Sequence, residues 1–128
     1  MSEDSGFFDQ LISIKRNREQ RLRSQLMEGE EHLKENQKKL EIMIAQREQL
    51  QQEWRQLGND CPGKVATNTL TKLKEELDLF YARDKELKAC LHELESRINA
   101  WSVQKESLIV SIRQACIEQE KLKYIVEN

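Results

Sequence analysis

The apolar residues in the second half of this chain recur at alternating intervals of three and four, the spacing of a coiled-coil seam. This pattern runs from Leu70 to Val126 without a break in phase, and only Asp84, Lys105 and Gln119 interrupt its apolar character. A heptad repeat kept over such a length predicts one long helix that pairs with another helix through this seam.

The first half carries a looser version of the same pattern, from Phe8 to Leu57. Five seam positions in this half are not apolar: four carry a polar side chain and one is a glycine. They are Lys15, Glu19, Gly29, Asn36 and Arg47. Between the halves, Gly58 suits a helix end and Pro62 prevents simple continuation of a helix. The pattern therefore predicts an all-α protein: a long two-helix antiparallel coiled-coil hairpin, forming a single domain over 1–128, with helices at about 7–57 and 69–126 and a turn at 58–68.

A register for this hairpin follows from keeping both seams in phase, with Leu57 opposite Leu70, Trp54 opposite Leu73 and Leu26 opposite Trp101. The polar seam residues then acquire partners one layer away. Arg47 approaches Asp84, and Glu19 approaches Lys105. Gly29 leaves room for the indole of Trp101. Since an unpaired polar group in a seam is costly, such pairs favour one register over others.

Composition narrows the class of protein further. The chain has 128 residues, of which 34% are charged and 38% hydrophobic, with four glycines and one proline. So few turn residues exclude a β-sandwich and a doubly wound α/β domain. The sequence shows neither a membrane-spanning apolar run nor a secretory signal, and its net charge is −2. We therefore expect a soluble cytoplasmic protein without direct membrane insertion and without bulk affinity for nucleic acid.

The sequence offers little chemistry for catalysis. The stretch 58–64 matches the spacing of a phosphate-binding loop, but Val65 follows where Ser or Thr is needed. His32 and His92 are isolated among charged residues, and the three cysteines, Cys61, Cys90 and Cys116, lack metal-type spacing. We therefore predict a protein that is not an enzyme and that holds no cofactor or metal.

Two features of the predicted surface are candidates for contacts with partner molecules. Five cations crowd into nine residues of the first helix: Lys15, Arg16, Arg18, Arg21 and Arg23. They are either a solvated face or a contact for RNA, an anionic membrane or an acidic protein, and the absence of interleaved aromatics and of a wide apolar face favours the acidic protein. Off-seam apolar residues form the second feature, and they are either scattered surface residues or a stripe that contacts a partner. They are Ile42, Ile44, Leu79, Tyr81, Ile109, Val110, Cys116 and Ile117.

The opening Phe7-Phe8-Asp9-Gln10-Leu11-Ile12, followed by the basic stretch, resembles the start of the FliJ/YscO family of bacterial type III secretion stalk proteins. A tryptophan at the place of Trp101 in the second helix recurs in that family. The likeness covers most of the chain as an architecture.

The resemblance implies a non-enzymatic stalk at the base of the secretion apparatus. Its end with both termini would enter the hexameric secretion ATPase and stimulate it. Its other end would reach the cytoplasmic domain of the export-gate membrane protein, and it would also hold secretion chaperones. On this reading the cations Lys15–Arg23 face the ATPase, and we infer from exposure that Leu79 and Tyr81 face the export gate. A generic coiled-coil adaptor and a holdase-type chaperone remain alternatives.

Overall fold

A computed structural model shows two helices, α1 (Ser2–Asp60) and α2 (Thr67–Glu127), which pack against each other as an antiparallel hairpin. It describes the backbone of 2–60 and 67–127 and the side chains of 6–59 and 68–127. The all-α helical hairpin predicted from the heptad pattern is confirmed. Both helices extend slightly beyond the predicted bounds, and Gly58 lies inside α1 instead of ending it. Residues 61–66, including most of the phosphate-loop-like stretch, lie outside the described residues.

Contacts along the chain fall into two compact units, each built from a piece of both helices. The terminal unit comprises Met1–Lys34 and Asn99–Asn128, and the middle unit comprises Glu35–Ile98. Each unit holds its helices together through the predicted seam, whose residues are the less exposed ones with two exceptions, Leu70 and Val126. The most deeply buried residues all lie on α2: Leu87, Leu94, Leu108, Ile112, Ala115 and Gln119.

In the middle unit the register differs from the predicted one. Trp54 stacks on Phe80, with ring centroids 5.1 Å apart, and not on Leu73. This shift is one heptad along α2, so the seam stays in phase and Leu57 comes opposite Leu77. Leu70 is then left beyond the last layer of α1, and it is 54% exposed. The predicted pairing of Leu57 with Leu70 is therefore wrong, because stacking of two large aromatic rings is available only in the shifted register.

The same shift explains the ion pairs. Arg47 binds Asp84 at 2.8 Å in the middle unit, as predicted, because the two residues are one layer apart in either register. In the terminal unit Lys105 binds Glu30 at 2.6 Å, whereas Glu19 accepts a hydrogen bond from Gln119 at 2.9 Å. The predicted approach of Glu19 to Lys105 is wrong, since the shift carries Lys105 towards Gly29 and Glu30.

Gly29 faces the six-membered ring of Trp101 within the terminal unit. A Cβ atom added to this glycine would overlap three carbons of the indole. The prediction that the missing side chain makes room for Trp101 is confirmed.

Candidate interaction surfaces

The five cations predicted to bind a partner lie on the α1 piece of the terminal unit, but two of them are engaged within the hairpin. Lys15 binds Glu118 of α2 at 2.7 Å, with both side chains about two-thirds covered. Arg23 binds Glu19 at 2.8 Å. These two side chains therefore serve the hairpin as well as the surface.

The other three cations are exposed, and they do not share one face. Arg18 and Arg21 are three residues apart and lie on the same flank of α1, whereas Arg16 is two residues from Arg18, a rotation of about 200°. Arg18 also lines a small cleft of about 100 Å³ with Gln114 and Glu118 of α2. The exposed cations Arg16, Arg18 and Arg21 thus give the terminal unit positive charge on both flanks of α1.

A polar cluster around Glu19 joins the helices in the terminal unit. Glu19 accepts hydrogen bonds from Arg23, from the Cys116 thiol at 3.1 Å and from Gln119, which is 7% exposed. The Arg23 bond, followed by those from Cys116 and Gln119, lowers the pKa of Glu19 from 4.5 to about 2. Sequence reasoning missed this cluster, because its members come together only in the shifted register.

Two further pKa shifts follow from these contacts. The hydrogen bond to Glu19, and then burial, raise the pKa of Cys116 above its ordinary value. The hydrogen bond from Lys15 lowers the pKa of Glu118. These contacts therefore favour the charged forms of Glu19 and Glu118 and the protonated form of the Cys116 thiol.

Leu79 and Tyr81, predicted to contact an export gate, lie on opposite flanks of Phe80 in the middle unit. Leu79 is 70% exposed and borders an open groove of about 400 Å³ together with Leu50, Trp54 and Phe80. Tyr81 is 61% exposed and meets the edge of Phe80, with ring centroids 5.6 Å apart. The structure therefore does not bring them into one patch, and the groove beside Leu79 is a feature that the sequence did not reveal.

Exposed apolar residues recur at heptad spacing on the outer face of α2 in the terminal unit, and we name them the α2 stripe: Val103, Val110, Ile117 and Tyr124. Val110 lies two residues from both Leu108 and Ile112, which are buried in the seam. Two residues are about 200° of helical rotation, so the stripe faces away from α1. Sequence reasoning noticed Val110 and Ile117 but not the repeat that joins them to Val103 and Tyr124.

Within the described residues, no group of His, Cys, Asp and Glu side chains is placed to hold a metal ion. In that same part of the chain, neither helix has a stretch apolar enough to cross a membrane. No protein-family profile, curated protein or solved structure matches the chain.

Proposed function

We propose that this chain is a non-enzymatic stalk of a bacterial type III secretion system, whose terminal unit enters the hexameric secretion ATPase and stimulates it. In this proposal the protein works in the cytoplasm at the base of the apparatus and links the ATPase to the export gate. The support is the helical hairpin together with the resemblance of the opening residues and of Trp101 to the FliJ/YscO family.

The observation that carries the proposal is the set of exposed arginines Arg16, Arg18 and Arg21 in the unit that contains both chain ends. Positive charge on both flanks of α1 suits insertion into an acidic pore, which surrounds its occupant, better than docking on one flat surface. Long-range attraction of this kind speeds association, and salt weakens it over a Debye length of about 8 Å at 0.15 M.

The test is stimulation of a purified secretion ATPase by the triple variant Arg16→Glu, Arg18→Glu, Arg21→Glu. Lys15 and Arg23 stay unchanged because Lys15 pairs with Glu118 across the hairpin and Arg23 pairs with Glu19, which is itself bonded to α2. Stimulation should fall at least tenfold, and its salt dependence should disappear, while circular dichroism shows unchanged helix content.

A matched control replaces three exposed lysines of α2 in the middle unit with glutamate: Lys72, Lys74 and Lys88. This variant has the same change in net charge but leaves the terminal unit unaltered, so it should stimulate the ATPase as well as the unchanged chain does. Equal stimulation by the arginine variant and the unchanged chain would reject the proposed ATPase contact.

The export-gate contact is proposed at the groove beside Leu79, because Leu79 is the more exposed of the two predicted residues and borders an apolar groove. Leu79→Asp should weaken binding to the gate's cytoplasmic domain, whereas Tyr81→Asp, on the other flank, is the matched comparison. Equal effects of the two changes would remove the groove from the contact.

The alternatives make different predictions in the same assays. A generic adaptor binds a partner helix without changing ATP turnover. A holdase suppresses aggregation of unfolded proteins and has no preference for a secretion ATPase.

A further inference from the structure

We propose that the α2 stripe is a self-association surface, on which a second copy of this chain docks antiparallel through its own stripe, with Val110 against Val110 at the centre. The stripe shares no residue with the proposed ATPase and gate contacts, and because a pore around the terminal unit would cover it, the chain would enter the ATPase as a single copy. The inference stands or falls independently of the proposed function.

The first argument is the position of the stripe. In a pair of helices, the positions directly opposite the seam are the most exposed to water and are normally polar. The equivalent outward positions of α1 in the same unit obey this rule: Gln10, Asn17, Ser24 and Glu31. Four consecutive apolar outward positions on α2 therefore do not reflect the general composition of the hairpin, and they mark a place where another surface covers them.

The second argument is the spacing. Val103, Val110, Ile117 and Tyr124 keep a strict interval of seven, and the first three are 72%, 60% and 55% exposed. A straight helix drifts by about 20° per heptad relative to such a repeat, so a sustained heptad stripe fits a partner that supercoils with α2. The occupant expected on this stripe is thus another helix.

The third argument is charge, and it selects a second copy in an antiparallel orientation. Along one side of the stripe stand Glu106, Arg113 and Glu120, all exposed and one heptad apart. In an antiparallel pair related by a twofold axis, the same side of each helix faces its counterpart. With Val110 at the axis, Glu106 of each copy meets Arg113 of the other, and no two like charges oppose each other along this side.

Other arrangements of two copies fit less well. Displacing the axis to Ile117 pairs Arg113 with Glu120, but it also sets Glu106 against Glu127. A parallel pair sets the charged side against the side with Ser107, Gln114 and Lys121, where only the lysine carries charge. Charge pairs of this exposed kind add little affinity but fix orientation.

The orientation is tested by bismaleimide crosslinking of single-cysteine chains in which Cys61, Cys90 and Cys116 are changed to Ser. Val110→Cys, at the axis, should crosslink to itself. Val103→Cys should crosslink only when mixed with Ile117→Cys, because these two positions face each other across the axis. Efficient self-crosslinking of Val103→Cys would indicate a parallel pair and overturn the antiparallel arrangement.

Affinity is tested by sedimentation equilibrium of the full chain. Val110→Glu should raise the dimer dissociation constant at least tenfold, whereas Ser24→Glu, the same charge on the outward face of α1, should leave it unchanged. Glu106→Arg should weaken the dimer, and adding Arg113→Glu should restore it. All four positions are exposed, so circular dichroism should show intact helices.

The result that overturns the proposal is a chain that sediments as a monomer up to about 1 mM, where even a weak millimolar dimer would be half formed. A dimer that is insensitive to Val110→Glu would equally reject the stripe as its interface. A failure of either kind leaves ATPase stimulation by the terminal unit untouched, so the two proposals are separable.

Discussion

Replacing Gly29 with alanine tests the packing of the terminal unit, because two effects of known size oppose each other there. Alanine favours the helix by about 1 kcal/mol over glycine. The added Cβ would overlap the ring of Trp101, however, so the indole has to leave its place. A tryptophan buries 150–250 Å², and losing about half of that at 25 cal/mol per Å² costs about 2.5 kcal/mol. The expected net result is a loss of about 1.5 kcal/mol.

Thermal unfolding followed by circular dichroism measures this loss as a fall in Tm of roughly 5 °C. Gly6→Ala and Gly58→Ala are matched controls, since a Cβ at either glycine meets no atom within 4 Å. Both controls should hold or raise Tm. In a Trp101→Ala background, Gly29→Ala should become stabilising by about 1 kcal/mol, because the clash is gone and only the helix preference remains. A rise in Tm on Gly29→Ala in the unchanged chain would refute the close packing of Gly29 against Trp101.

Three further predictions concern the polar contacts. Because the folded pKa of Glu19, about 2, lies below its ordinary 4.5, the stability that Glu19 contributes is present above pH 4.5 and is lost as the pH falls towards 2. Glu19→Gln should therefore reduce the fall in the free energy of unfolding, measured by urea denaturation, between pH 4.5 and about 2. An equally steep fall in this variant would contradict the cluster. A double-mutant cycle of Arg47→Ala and Asp84→Ala should give a coupling of about 0.5–1 kcal/mol, as expected for a partly buried pair whose side chains are 28% and 20% exposed, and zero coupling would discount the contact. At pH 8 iodoacetamide should modify Cys90, which is exposed, faster than Cys116, whose pKa is raised; mass spectrometry that finds the reverse order would place the Cys116 thiol outside the cluster.

The fold was predictable because the apolar residues of the seam recur at heptad spacing in the sequence. The register was not, since an apolar seam that repeats every seven residues stays in phase after a shift of one heptad. Arg47 with Asp84 and Gly29 with Trp101 are one layer apart in both registers, so these matches could not choose between them. The stacking of Trp54 on Phe80 depends on ring shape, which a pattern of apolar and polar positions does not record.

The candidate surfaces were predictable only in part. The run of cations is visible in the sequence, but the engagement of Lys15 by Glu118 depends on the register. The α2 stripe could have been predicted from the sequence, because each outward position lies two residues away from a seam position. The seam pattern by itself gives no reason to connect Val103 and Tyr124 with Val110 and Ile117.

The concentration of burial on α2 has a consequence for local opening. In the described residues no side chain is fully buried, and the best-protected segment is 108–119, with Leu108, Ile112, Ala115 and Gln119 all at 8% exposure or less. A backbone amide exchanges with solvent when its segment opens, and opening costs more free energy where more buried contacts are broken. Amide hydrogen exchange should therefore be slowest in 108–119. The start of α2 around Leu70, which has no opposite layer on α1, should exchange within the fastest class. Although circular dichroism would report α2 as one helix, its first turns would open locally while the segment 108–119, which carries part of the α2 stripe, stays folded.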